Sequence, residues 1–121
     1  MRIARVAPAD LKARLEAGDT VTIVDARLRY PYEHSSLIVP KAVRVAPPAF
    51  DVSAVPLSHD LVVYDSDPDE VVAEDVAVRL AARGARVSVL AGGLNAWMAA
   101  GGATDTKPAV GQAAPAEPAK A

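Results

Sequence analysis

The 121-residue chain predicts an α/β fold built on a mostly parallel sheet, on three observations. Short β-branched segments alternate with segments of helical period, the order that places helices over parallel strands through right-handed crossovers. The strand-like segments are nearly all apolar, as expected of strands covered on both faces. The length suits one domain, since a chain of this size buries about two thirds of its unfolded surface.

Each element follows in order. "RIARV" (2–6) reads as a short edge strand. In "APADLKARLEAG" (7–18) Pro8 suits the first turn of a helix, Asp10 its positive end and Gly18 its stop, while Leu11 and Leu15 lie one turn apart as a buried stripe. "TVTIVDA" (20–26) is a strand with Asp25 at its carboxyl end, followed by a long irregular connection, "RLRYPYEHSSLIVPK" (27–41). "AVRV" (42–45) is a short strand, and the Pro-broken "APPAFDVSAVPLSHD" (46–60) a crossing loop.

"LVVYD" (61–65) is the central strand by its apolar content. The helix after it buries Val72, Val76 and Leu80 beside Ala73 and Ala77, turns Glu74, Asp75, Arg79 and Arg83 outward, and stops at Gly84. "ARVSVL" (85–90) is a strand, "AGG" a tight turn, and "LNAWMAAGG" (94–102) a helix whose Trp97 anchors it to the core. From Ala103 the composition becomes rich in Pro and Ala without an aromatic residue. The domain is therefore expected over 1–102, with a disordered tail over 103–121.

Composition excludes several classes of function. A net charge of −2, with Lys and Arg scattered, argues against nucleic acid as a partner. No stretch reaches the ~18 apolar residues of a membrane span, and the start lacks an apolar signal core, so membrane insertion is not expected and the cytoplasm is the default location. The count of zero cysteines removes disulfides, thiolate metal sites and thiol nucleophiles together.

In parallel sheets ligands sit beyond the carboxyl ends of the strands. That edge is expected to gather Asp25, Arg27 and Arg29 with the loop Asp65, Ser66, Asp67, Pro68, Asp69, Glu70 and Val71. The loop reads as a capping box, with Asp67 at the N-cap, Pro68 in the first helical position and Glu70 in the third. Arg27 and Arg29 are expected to pair with Asp65 or Asp67, and Asp25 to orient its loop by accepting a hydrogen bond. The alternation of Asp65, Asp67 and Asp69 matches the first ligands of a calcium loop, yet the required glycine and distant bidentate glutamate are missing and Pro68 interrupts the run. His34 and His59 are isolated, and His34 with Ser35 or Ser36 completes no catalytic triad. No metal and no cofactor is expected.

The order of these motifs resembles the rhodanese family of sulfurtransferases over residues 3–101. "VDAR" (24–27) is similar to the family's V-D-V-R, and "EHSSLIVPKA" (33–42) to E-Y-x-x-G-H-I-P-G-A with several departures. "LVVYD" falls where the family has V-x-Y-C, and "LAGGLNAWMAAG" (90–101) resembles L-x-G-G-x-x-A-W-x-x-A-G. The loop resembles a subgroup reading Y-C-x-C-P-N-E, with Tyr64, Pro68 and Glu70 in register and both cysteines falling on Asp65 and Asp67.

The resemblance implies a five-stranded parallel sheet with helices on both faces, and structural roles for Gly92, Gly93 and Trp97. It also implies a thiolate that carries sulfane sulfur as a persulfide, its charge held by loop amides and a helix dipole. An aspartate cannot carry that sulfur. The expectation is a degenerate nucleophile position in which Asp65 fills the cradle as a built-in anion, in a catalytically inactive module that binds or regulates an unknown protein partner. The alternatives are a thiosulfate sulfurtransferase-family enzyme with altered, carboxylate-based activity, and a weak divalent-cation binder through residues 65–70. Phosphatases and arsenate reductases of this fold also depend on cysteine.

Overall fold

The computed structural model describes residues 3–48, 50–66 and 69–107. Its main sheet has five parallel strands: β1 (Ala4–Val6), β2 (Val21–Asp25), β4 (Val43–Arg44), β5 (Asp60–Tyr64) and β6 (Val87–Leu90). They lie in the order β1-β6-β5-β2-β4, so β1 is an edge strand and the apolar β5 is central. The register places Asp25 of β2 opposite Tyr64 of β5, bringing two strands to a common carboxyl edge.

The pleat divides the core into two layers. Leu61 and Val63 of β5 pack with Ala73, Val76, Ala77 and Leu80 of helix α3 (Val71–Ala81) on one face. Val62 and Tyr64 point to the other face, against Leu11 of helix α1 (Pro8–Glu16) and Leu94 and Trp97 of helix α4 (Gly93–Ala99). Helices thus cover both faces. Pro8 opens α1, and Leu80 and Trp97 are buried as the apolar spacing predicts.

Three segments differ from the sequence-based expectation. The connection after β2 contains a short helix, α2 (Arg29–Glu33), in which Pro31 lies in the first turn, where its missing N–H breaks no intrahelical bond. After α2, strand β3 (Leu37–Ile38) pairs antiparallel with strand β7 (Asp105–Thr106).

That pairing also corrects the boundary: residues 103–107 belong to the folded body. Trp97 Nε1 donates to the Ala103 carbonyl at 2.8 Å, and the Lys107 amide donates to the Ser36 carbonyl at 2.8 Å. Between them Gly102 lies flat on the indole, where a Cβ would fall 2.1 Å from the ring. The order comes from backbone pairing and one aromatic contact, which composition does not register. The rest of the expected tail, 108–121, lies outside the described residues.

The third difference is the start of α3. Its N-cap is Glu70, in the left-handed region at φ 58°, and the helix opens at Val71. The capping box expected with Glu70 in the third helical position is therefore overturned. Asp67 and Pro68 lie outside the described residues.

Candidate functional site

Asp65 follows β5 directly and is 1% exposed. Its Oδ2 accepts the Ala73 amide of α3 at 2.7 Å, and its carbonyl accepts the Leu94 amide of α4 at 2.9 Å. The residue is therefore set between the amino ends of two helices. Ala73 is the third residue of α3, so its amide is one of the donors that the helix itself leaves unpaired. The carboxylate thus supplies from the end of the strand the cap expected from the loop, in the partial positive charge of the helix terminus.

Gly93 permits this arrangement. At φ +68° it occupies a backbone region that L side chains rarely adopt, and a Cβ there would stand 2.5 Å from the Asp65 carbonyl oxygen. The Glu70 side chain makes no cap bond to α3; it accepts the Gly92 amide at 2.8 Å and Arg5 Nε at 2.9 Å. Arg5 also pairs with Glu74. One carboxylate thus ties the loop to β1 and to the turn before α4. Ser66, Asp69 and Val71 are exposed.

Asp25 lies at the same sheet edge but faces the opposite layer, toward Tyr64 and the α1–α4 side. It is fully buried. Its carboxylate accepts Arg27 Nη2 at 2.6 Å and Nε at 3.0 and 3.2 Å, the Arg27 amide at 3.1 Å and the Tyr64 hydroxyl at 2.8 Å. The amide bond is the loop-orienting contact that the position suggests. Burial opposes the charge of Arg27, but the hydrogen bonds and charge of Asp25 outweigh it and raise the guanidinium pKa. Burial, followed by the charge of Asp25, also pushes the Tyr64 phenol pKa upward.

These contacts give Arg27 partners other than the expected Asp65; Asp67, the alternative partner, lies outside the described residues. Arg27 is committed to Asp25 and to the Leu37 carbonyl, on the other side of the sheet from the Asp65 carboxylate. Among the described residues Arg29 pairs with Glu33, one helical turn on, at 3.0 Å. Sequence spacing put both arginines on the correct edge but could not say which layer they enter.

Three further residues escaped the sequence reading. Tyr32 presents a ring to Arg44 at 3.9 Å, to Lys107 at 4.2 Å and to Arg27 at 5.1 Å. A charged residue between the apolar Val43 and Val45 was a signal for Arg44; nothing in the sequence marked Lys107. Trp97 is a core anchor, 1% exposed. Among the described residues no group of three or more His, Asp or Glu is assembled to hold a metal ion, and no helix is long and apolar enough to cross a membrane.

The rhodanese-like domain model matches residues 7–100 of the chain. Solved structures agree. A crystal structure of an Anabaena protein is 30% identical, covers 84% of this chain and 82% of its own, and superposes with a TM-score of 0.69. The solution structure of the rhodanese-like domain from the Anabaena protein covers 100% of this chain and 92% of its own, at 27% identity and a TM-score of 0.67. A Bacillus halodurans protein is 21% identical over 85% of this chain and 77% of its own, with a TM-score of 0.72. No curated protein matches significantly. The fold and the matched span define an α/β domain of the rhodanese type. The chain belongs to the rhodanese-like domain family.

Proposed function

We propose that this chain is a rhodanese-like module that works without sulfur transfer, as a binding or regulatory domain for a protein partner. The observation that carries this reading is the Asp65 carboxylate bonded to the third amide of α3. Where the family resemblance places a sulfur-carrying thiolate, the chain holds a side chain that already bears the negative charge and already takes a cradle amide. A carboxylate oxygen has no sulfur to relay, and the sequence contains no cysteine to replace it.

The rim of the same edge supports the binding half of the proposal. Leu28 and Tyr30, after β2, are 43% and 70% exposed, and Val71, after β5, is 63% exposed. Because β2 and β5 are neighbours, these side chains follow adjacent strands at one carboxyl edge. Apolar groups with a charged centre suit a protein surface better than a small solute.

Two assays test the reading. Thiosulfate-to-cyanide sulfur transfer by the purified protein is expected at the rate of a no-enzyme control, and turnover above it overturns the proposal. The Asp65→Cys variant, incubated with thiosulfate, is expected to gain the mass of one sulfur atom, because the Ala73 amide and the helix end that now face the carboxylate are placed to face a persulfide. A folded variant that gains no sulfur would contradict the view of this hollow as a filled anion cradle.

A further inference from the structure

We infer that the cation cluster around Tyr32 is a binding site for a small tetrahedral oxyanion such as sulfate or phosphate, on the face of the sheet opposite the Asp65 carboxylate. The inference does not depend on whether the module transfers sulfur.

The first ground is a charge imbalance inside the fold. Arg27, Arg44 and Lys107 approach the same aromatic ring, with Arg27 1% and Lys107 8% exposed. The acids nearby are Asp25, fully buried and joined to Arg27, and Glu33, which pairs with Arg29 at 3.0 Å and also acts on Lys107 through its charge. With Arg29, four positive charges thus face two carboxylates, of which one is buried. Burial is costly for a cation without a counter-charge. The consequence is visible in the side chains themselves: burial, and then the charge of Arg27, lower the Lys107 pKa, and burial lowers that of Arg44.

The second ground is independent and concerns hydrogen bonds. Arg27 Nη1 is buried and has no acceptor. Arg44 uses only Nη1, on the carbonyls of Asp25, Arg27 and Val45, so its Nε and Nη2 donate to no described residue. Among the described residues Lys107 Nζ gives one bond, to the Tyr32 carbonyl, of the three its ammonium can donate. Asp25 cannot absorb this surplus. Its oxygens already receive Arg27 and Tyr64, and Arg44 Nη1 stands 3.8 Å from Oδ1. The cluster therefore lacks both negative charge and acceptor atoms. A tetrahedral oxyanion supplies both, presenting several acceptors to guanidinium and ammonium donors in charge-assisted bonds.

Lys107 also links the site to the second, two-stranded sheet. It follows β7, a two-residue strand held by short pairing to β3, and its amide is tied to Ser36. Anion binding is expected to fasten this end of the chain to α2.

The test is an NMR titration of the full chain with sodium sulfate, against sodium chloride at matched ionic strength. Expected are saturable amide shifts at Arg27, Tyr32, Leu37, Arg44 and Lys107, absent in chloride. Lys107→Met and Arg44→Met, which leave the Asp25–Arg27 pair in place, are each expected to weaken sulfate binding by about tenfold or more. Non-saturating shifts, shifts equal in chloride, or unchanged affinity in both folded variants would overturn the inference. Saturable shifts confined to Asp65 and the first turn of α3 would overturn it too, and would separately contradict the filled cradle.

Discussion

The carboxyl edge of β2 and β5 buries two acids, Asp25 and Asp65, and the fold satisfies them by opposite means. Asp65 takes the Ala73 amide at the amino end of α3, a donor of a kind that exists wherever a helix starts and that carries no formal charge. Asp25 takes a guanidinium and a phenol, so its layer imports a full positive charge and with it the need to place every other guanidinium hydrogen. The ion-pair solution leaves Arg27 Nη1 without an acceptor and collects Arg44 and Lys107 nearby. A carboxylate that caps a helix uses a donor the fold already has, whereas one held by side-chain cations leaves an open inventory of donors.

The contrast is broken most strongly at Arg27. Arg27→Met strands a buried carboxylate, and removing one partner of a buried pair costs about 3–5 kcal/mol. Urea unfolding of the variant should show a loss of that order. Replacing both members, Asp25→Leu with Arg27→Met, should recover part of it, because the stranded charge is gone. A single variant as stable as the native protein would mean that Asp25 is not held by its cation. On the amide side the corresponding insult is Gly93→Ala. It places a Cβ against the Asp65 carbonyl at a positive φ, and about 1–3 kcal/mol is expected from strain and crowding, read from the same unfolding curves.

The two solutions also differ in how far the sequence announces them. The strands and helices were legible because their apolar spacing answers to burial in two layers; β5 reads as central, and Leu11, Leu80 and Trp97 fall inside. The acidic loop was legible as a site but not as a geometry. A capping box is a local pattern, whereas the cap that forms spans from Asp65 to Ala73 across the loop, with Glu70 turned to Arg5 and Gly92. The cation cluster was the least legible. Lys107 lies 75 positions from Tyr32 along the chain and is placed by a two-residue strand pairing, too short to leave a periodic signature.

A smaller effect sharpens the ion-pair side through pH. In the folded chain the Tyr64 phenol is held above its ordinary pKa of 10.0 by burial and then by the Asp25 charge, while the unfolded chain releases that proton at the ordinary value. The unfolded state then binds fewer protons above about pH 10, so stability falls as pH rises through that region. Lys107 acts in the opposite sense, since its lowered pKa means that the unfolded state holds more protons up to about pH 10.4. The contribution of Tyr64 is isolated by comparison with Tyr64→Phe. The variant should lose about 1 kcal/mol at neutral pH for the missing hydroxyl bonds to Asp25 and the Val39 amide, and should decline less steeply at alkaline pH. Parallel alkaline limbs for the two proteins would remove Tyr64 from this account.

The smallest expected effect tests whether burial, rather than pairing as such, separates these arginines. Arg29 and Glu33 stand at 3.0 Å, a distance comparable to those of the Arg27–Asp25 bonds, but the Arg29 side chain is 86% exposed. Water already solvates both charges, and holding two long side chains together costs entropy that offsets the Coulomb gain, so such pairs contribute ~0.5 kcal/mol or less. Arg29→Ala should therefore unfold within about 0.5 kcal/mol of the native protein, and added salt should narrow even that difference. Two arginines two residues apart would then differ several-fold in what they contribute. A loss at Arg29 comparable to that at Arg27 would require α2 to be held mainly by its surface pair, and the division of the edge into a buried ionic layer and a solvated rim would fail.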